Sequence, residues 1–318
     1  MAQHFKQAAL AAMIAFSFAA APVQAAAPMA KVQAPGFQRM MLGAFEITVL
    51  SDGTVDLPVD QLLSQAPAKT TQTLAKAHLT VPLETSVNAY LINTGSKLIL
   101  VDAGAASSFG PTLGRLLINL KAAGYEAGQI DEVLITHFHG DHVGGLLDGG
   151  KAAFPNATVR ADQREADFWL GQANMDKAPA EMKGYFKNAM AATQPYVATG
   201  KFQPFKGNTE FAPGVRATST YGHTPGHTSY LIESEGQKLL LVGDLIHVGP
   251  VQFKEPTVTI KFDSDQKAAL AARTSAFSQA AKDGILIGAT HLSFPGVGHV
   301  YSEGKSYRWA PVNYTRAR

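Results

Sequence analysis

Thr136-His137-Phe138-His139-Gly140-Asp141-His142-Val143-Gly144-Gly145 sets three imidazoles and one carboxylate within six residues, with glycines alongside. Glycine permits the tight backbone turns that converging ligands need. A loop of this make-up without a metal would face mutual repulsion once its histidines protonate. His137, His139, Asp141 and His142 are therefore candidates for metal ligation. The chain has no cysteine, so any ion it holds must be taken by imidazole and carboxylate.

Working outward, this loop ends a buried-type strand, Asp131-Glu-Val-Leu-Ile-Thr136, and the arrangement around it recurs. Tyr90-Leu-Ile, Gly95 and Lys97-Leu-Ile-Leu-Val101-Asp102 are echoed by Tyr230-Leu-Ile, Gly236 and Lys238-Leu-Leu-Leu-Val242-Gly-Asp244. Each copy reads as two apolar strands about a glycine turn, ending in an aspartate. A helix is predicted after each. Pro111–Ala123 carries Leu113, Leu116, Leu117 and Leu120 at helical spacing and stops at Gly124, and Gln266–Lys282 stops at Gly284. A further strand closes each half on Thr-His: Thr136-His137 in one, and Gly284-Ile-Leu-Ile-Gly-Ala-Thr290 running into His291 in the other. Two ββαβ units in the same order predict an α/β domain of two pseudo-symmetric halves, with packed sheets inside and helices outside. His223 and His227 lie in Gly222-His223-Thr224-Pro225-Gly226-His227, after a predicted strand over Val215–Thr220.

Upstream, Phe45–Leu50 and Val55–Leu57 read as two strands around a D-G turn at Asp52-Gly53. Residues 58–86, with Pro58, Pro67 and Pro82, read as an irregular lid or binding loop. Residues 26–43 read as a loosely held arm before a single domain over 44–318. At residues 1–25, Lys6 precedes an apolar run from Ala8 to Ala20, and Val23-Gln24-Ala25 offers small residues for cleavage. The run is shorter than the ~20 residues needed to span a bilayer. It reads as a secretory signal peptide, which predicts a periplasmic or secreted protein without a membrane anchor after cleavage.

Composition narrows the function. The 318 residues carry 27 Lys+Arg against 25 Asp+Glu and are 46% hydrophobic, which fits a globular chain with a sizeable core. A net charge of +2 leaves no electrostatic footprint for nucleic acid and no polybasic arm for a membrane surface. Cysteine nucleophiles are excluded, and no G-x-S-x-G pattern or Gly-rich phosphate loop competes with the histidine loop.

HxHxDH, then GHTPGH, then the Gly-Asp at Asp244, then a late histidine, resembles the signature of the metallo-β-lactamase fold superfamily across nearly the whole mature chain. The resemblance implies a four-layer αββα sandwich. It also implies His137, His139 and His223 as ligands of one metal, and Asp141, His142 and His291 as ligands of a second, with Asp244 bridging. Two divalent ions follow, Zn²⁺ first, with Mn²⁺, Fe²⁺ and Co²⁺ compatible with the same donors. His227 and Asp102 are implied as supports of the ligand loops. A bridging hydroxide is implied as the nucleophile, with Asp141 and Asp244 holding the cluster and orienting the attack. A metal-binding scaffold without turnover would be expected to lack a ligand, and all seven positions are filled.

More finely, the chain is similar to the methyl parathion hydrolase group and its lactone- and aryl-ester-cleaving relatives. The likeness runs through Arg39-Met-Met-Leu-Gly-Ala-Phe-Glu46, Leu83-Glu-Thr-Ser86, Phe109-Gly-Pro-Thr-Leu-Gly114, Arg160-Ala-Asp-Gln163, Ala166-Asp-Phe-Trp169, Gly288-Ala-Thr-His-Leu-Ser-Phe-Pro-Gly296 and Pro311-Val-Asn-Tyr314. It implies a small, flat, neutral aromatic substrate in an apolar pocket walled by Leu62, Phe109, Trp169, Phe186, Leu245, His247, Ile260 and Phe262, and a homodimer. His247 reads equally as a group beside the metals or as a structural histidine, while His78 and His299 read as structural. Hydrolysis of aromatic lactones and aryl esters is the expected activity, with organophosphate triesters secondary or comparable. A dedicated organophosphate triesterase and an acyl-homoserine lactonase are the alternatives.

Overall fold

The computed structural model describes residues 27–106 and 108–314. The segment read as a signal peptide lies outside the described residues. The chain divides at Ala34, and residues 27–34 contain no helix or strand. From Pro35 on it forms one unit built around two sheets. The six-stranded sheet runs in spatial order Phe37–Leu42, Phe45–Leu57, Leu83–Asn93, Leu98–Val101, Glu132–Leu134, Thr158–Arg160. The seven-stranded sheet runs Ser306–Pro311, Val297–Glu303, Leu286–Gly288, Gln237–Leu241, Thr228–Ser234, Val215–Ser219, Glu210–Ala212.

The sheets pack face to face through alternate side chains of each strand. Ile47, Val49, Tyr90, Ile92, Ile99 and Val101 meet Val215, Ala217, Tyr230, Ile232, Leu239 and Leu241 in one buried cluster. On the outside, the Leu116–Ala122 and Lys183–Ala198 helices cover the first sheet through Leu116, Leu120, Phe186 and Ala189. The Gln266–Asp283 helix covers the second through Ala276, Phe277 and Ala280. The result is the αββα sandwich, and the two halves match in register. Tyr90 faces Val101 in the first sheet as Tyr230 faces Leu241 in the second, both antiparallel. The next pair is parallel in each, Leu100 beside Val133 and Leu240 beside Ile287.

Several boundaries differ from expectation. Asp52-Gly53 is no hairpin turn. Phe45–Leu57 is a single strand paired with Leu83–Asn93, and the register skips Asp52 between the pairs Ser51–Asn88 and Gly53–Val87. That bulge needs the left-handed φ of 128° at Gly53. The stretch read as an arm includes a strand, Phe37–Leu42, on the sheet edge. The presumed lid contains the helices Val59–Leu62 and Pro67–Lys76, anchored by Val59, Leu63 and Leu74 in an apolar cluster. The first-half helix starts at Leu116, not Pro111, because the backbone of residues 111–115 turns instead to hold the Asp52 carboxylate. Among the described residues no helix is long and apolar enough to cross a membrane.

Candidate metal centre and pocket

Strand ends deliver the ligands. His137 follows Glu132–Leu134, His223 follows Val215–Ser219, Asp244 follows Gln237–Leu241 and His291 follows Leu286–Gly288. His139, Asp141 and His142 sit where the chain turns into a short helix over Gly140–Val143. Gly144 and Gly145 let that turn approach the strand-end loop of the first half, since a Cβ on either would lie within 2.4 Å of the carbonyl oxygens of Ala105 or Ala103.

The ligating atoms of His137, His139, His223 and Asp244 converge within 4.8 Å of one another, and so do those of Asp141, His142 and His291. His137 Nε2 lies 3.0 Å from His139 Nδ1, which lies 3.1 Å from His223 Nε2. Asp244 Oδ2 is 3.3 Å from His223 Nε2, 3.5 Å from His137 Nε2 and 3.2 Å from His291 Nε2. His142 Nε2 is 3.2 Å from Asp244 Oδ1, and His291 Nε2 is 3.4 Å from Asp141 Oδ2. For a tetrahedral ion with ligand bonds of ~2.0–2.1 Å, neighbouring ligand atoms stand ~3.3 Å apart. His142 Nε2 and Asp244 Oδ1 are fully buried without a hydrogen-bond partner, a costly arrangement unless a cation lies between them. Five imidazoles and two carboxylates with no thiolate would fit two divalent ions, and Asp244 lies within 3.2 Å of His142 and His291 of the second group as well as among the first.

The second nitrogen of four of the five candidate imidazoles explains their aim. His142 Nδ1 donates to Asp102 Oδ2 at 2.8 Å, His223 Nδ1 to Asp263 Oδ1 at 2.8 Å and His291 Nδ1 to the Ser86 carbonyl at 3.0 Å. Thr136 gives its hydroxyl proton to Asp102 and accepts from His137 Nδ1 at 3.1 Å. These acceptors fix the tautomers that turn the opposite lone pairs toward the centre. Asp102 holds its pose with φ of 59°. His227 is no ligand: its Nε2 accepts from the Asp244 backbone N–H at 3.1 Å, and its Nδ1 donates to Thr220. Burial, reinforced by His223, pushes it down to about 3, so it stays a neutral acceptor.

Charges in the cluster set the other protonation states. Burial would raise Asp244, but His291, His142, His247 and His137 hold it well below the usual carboxylate range. Burial lowers His223, yet the Asp244 and Asp263 carboxylates carry it up to about 9. Burial dominates at His247, which falls to about 4 despite its Nε2 lying 3.1 Å from Asp244 Oδ2. Its ring stacks on His291, with centroids 4.9 Å apart and planes inclined at 19°.

Above this floor opens a largely apolar cavity of about 200 Å³. Four of the predicted wall residues line it, Phe109, Trp169, His247 and Phe262, together with the ligands His139, Asp141, Asp244 and His291. The other four do not reach it. Phe186 is buried behind Trp169, ring centroids 4.8 Å apart, because the adjacent Tyr185 takes the pocket-facing position and neighbours on a helix point ~100° apart. Leu245 packs under the Gln266–Asp283 helix, and Ile260 and Leu62 belong to the cluster beneath the Val59–Leu62 helix. Val55, Leu57, Leu113, Met182, Tyr185 and Lys261 complete the wall and were not foreseen. Val55 and Leu57 could have been found from strand alternation, which puts both on one face.

Two supporting carboxylates also escaped the sequence reading. Glu165 accepts from Phe138 N, Gly226 N and the Thr224 hydroxyl at 2.7–2.8 Å, joining the two histidine loops. Asp263 holds His223.

Comparison with known proteins gives this site its context. Among solved structures the chain is similar to the hydrolase AbOPH in the beta lactamase superfamily, 39% identical with a TM-score of 0.85 over 90% of this chain and 100% of that one. It is also similar to AidC, a dizinc quorum-quenching lactonase in complex with a product, 27% identical with a TM-score of 0.81 over 88% of this chain and 99% of that one. An N-acyl homoserine lactonase of Bacillus cereus is 27% identical over 58% of this chain and 72% of its own length. Uncharacterized protein YobT of Bacillus subtilis (strain 168) is 29% identical over 50% of this chain, and the match spans only 61% of YobT. Residues 83–284 match the Metallo-beta-lactamase superfamily profile, a span that includes the histidine loop, His223 and Asp244, and this chain belongs to that superfamily.

Proposed function

We propose that this protein is a binuclear metal-dependent hydrolase of aromatic lactones and aryl esters, with organophosphate triesters as secondary or comparable substrates. The observation that carries the reading is a compact aromatic cavity with four ligand side chains exposed on its floor. When bound, the two ions would supply a water nucleophile of lowered pKa and polarise the reacting carbonyl or phosphoryl oxygen. The chain's own residues bind and orient. Phe109, Leu113, Trp169, Tyr185 and Phe262 give the cavity an apolar, largely aromatic lining against which a flat substrate would pack with water excluded. His247, neutral and beside Asp244, steadies the shared carboxylate. Phenolate leaving groups need no protonating acid.

A second reading, acyl-homoserine lactone hydrolysis, is favoured by the names of AidC and of the Bacillus cereus relative. The cavity is small beside the ~300–1,000 Å³ typical of ligand pockets, which favours a flat ring over a long acyl chain. Steady-state kcat/KM of the zinc-loaded protein on dihydrocoumarin, N-hexanoyl-homoserine lactone and methyl parathion separates the readings. Dihydrocoumarin leading methyl parathion by more than roughly 100-fold, ~2.7 kcal/mol of differential transition-state stabilisation, would support the ester-cleaving reading, and the reverse order a dedicated triesterase. No turnover of any of the three would sink the reading. Export directed by residues 1–25 belongs to the same proposal. It rests on Lys6, the apolar run and Val23-Gln24-Ala25, and N-terminal sequencing of the secreted fraction tests it.

A further inference from the structure

Each half of the sandwich leaves one long loop between its last strand of the apolar pair and its outer helix. Residues 102–115 lead from Val101 to the helix at Leu116, and residues 242–265 lead from Leu241 to the helix at Gln266. Both supply pocket walls: Phe109 and Leu113 from the first, His247, Lys261 and Phe262 from the second. Among the described residues neither belongs to a sheet, apart from the bridge between Leu63 and Ile260, and only a short helix over Gly249–Gln252 interrupts the second, so most of their backbone groups need other partners.

In the first half one carboxylate gathers several of them. Asp52, the residue skipped by the strand bulge, accepts from Ala105 N at 2.9 Å, Gly114 N at 3.1 Å and Leu116 N at 3.0 Å. In the second half one guanidinium does the same. Arg273 of the outer helix donates from Nε to the Leu245 carbonyl, and from its NH1 nitrogen to Val258 at 2.6 Å and Pro256 at 3.0 Å. Gln252 adds to the same segment, accepting from His247 N at 2.8 Å and donating to the Val258 carbonyl at 3.0 Å. Asp52 and Arg273 are both essentially fully buried, and neither makes an ion pair among the described residues. Arg273 Nη2 has no hydrogen-bond partner, and a buried charge met mainly by backbone dipoles is weak as a source of stability, which leaves the fixing of one loop geometry as the role to test.

We infer that Asp52 and Arg273 are positioning residues for the two walls of the pocket, one gathering the N–H groups of its loop and the other the carbonyls. This rests on the cavity being the substrate site. The two anchors carry different cargo. The loop that Asp52 holds bears pocket side chains and none of the seven metal-ligating candidates, and only at its start, three residues before the anchored Ala105, does it bear a support of the ligands, Asp102. The loop that Arg273 holds bears Asp244, next in sequence to Leu245, and Asp263, which orients His223.

The test uses the full chain, loaded with zinc, as Asp52→Asn, Arg273→Met and Arg273→Lys. Zinc affinity is read by chelator competition, binding of 2-naphthol by calorimetry, and KM and kcat on dihydrocoumarin. Asp52→Asn should weaken 2-naphthol binding and raise KM by about tenfold, with zinc affinity and kcat changed clearly less than that. Arg273→Met should weaken the binding of at least one zinc by about tenfold and lower kcat, with 2-naphthol binding changed less. Arg273→Lys should recover part of the zinc affinity, and it also stands in should the methionine variant fail to fold. Lowered melting temperatures with zinc, naphthol and kinetic constants unchanged would overturn the assignment, as would identical losses in all readouts from both sites. Wild-type protein inert on dihydrocoumarin, N-hexanoyl-homoserine lactone and methyl parathion alike would defeat the proposed function, while the zinc and naphthol measurements would still decide the roles of the two anchors.

Discussion

Asp263 and Asp102 do equivalent work on opposite sides of the cluster, each taking the Nδ1 proton of a histidine whose Nε2 faces the centre. Burial would raise Asp263, but the hydrogen bond and charge of His223 hold it below the usual carboxylate range, so it is a standing negative charge behind that imidazole. Asp263→Asn keeps an acceptor and loses the charge. Zinc affinity should fall by ~10–100-fold in chelator competition while the far-UV spectrum stays native. Asp244→Asn reaches further, because Asp244 Oδ2 sits among four imidazoles and Oδ1 faces a fifth. Its kcat/KM should drop by more than ~100-fold with the fold retained, and a purely structural metal protein would instead show a collapse of the melting temperature. The seven candidate ligands, which the structure brings together, stand out in the sequence because they cluster in short motifs where strands end. Asp263 and Glu165 do not, since the groups they hold lie 40 residues away for one and 27 to 61 for the other. No local pattern marks a carboxylate that acts across such a separation.

At the scale of elements, the internal repeat forecast the pairing but not how the two sheets are tied together. Tyr90, from the first sheet, donates its hydroxyl to the Ala289 carbonyl at 2.9 Å, two residues before His291. Tyr230, from the second, donates to the Ile135 carbonyl at 2.7 Å, two residues before His137. Each half therefore fastens the strand end that presents the other half's histidine. Replacing either tyrosine by phenylalanine leaves a buried carbonyl short of a partner and should cost about 1–3 kcal/mol. Tyr230→Phe should cost more, since Ala289 O keeps a weak contact from Asn88 at 3.4 Å. Urea midpoints at unchanged m-value measure both, and equal, negligible shifts would contradict this account. Elements misread from sequence share one cause. Asp52-Gly53 carries a turn signal, and Pro111–Ala123 carries helical spacing. In each case a tertiary bond from the Asp52 carboxylate decided the backbone, making one a bulge and delaying the other helix to Leu116.

For the molecule as a whole, the two halves meet at the metal centre. His137, His139, Asp141 and His142 come from the first half, and His223, Asp244 and His291 from the second, so bound ions link segments that are otherwise joined by packing and a few hydrogen bonds. Anything that binds only the folded state stabilises it by mass action, about 4.1 kcal/mol at a free concentration 1,000 times the Kd. In a domain of this size that corresponds to roughly 8–16 °C in melting temperature. Stripping the ions with a chelator should therefore lower the calorimetric midpoint by at least several degrees, and zinc should restore it. The same linkage has a pH direction. Ligand imidazoles bind as the neutral form, so protons compete with metal, and the competition is felt first where the ring is most basic. His223 is held up at about 9 by Asp244 and Asp263, and His142 is raised above its ordinary value by Asp244, Asp102 and Asp141 despite burial. Zinc affinity should consequently rise with pH through neutrality and fall steeply in mild acid, and the thermal gain from zinc should shrink in parallel. A zinc-dependent shift that stays constant between pH 8 and pH 5 would mean that these histidines do not carry the metal.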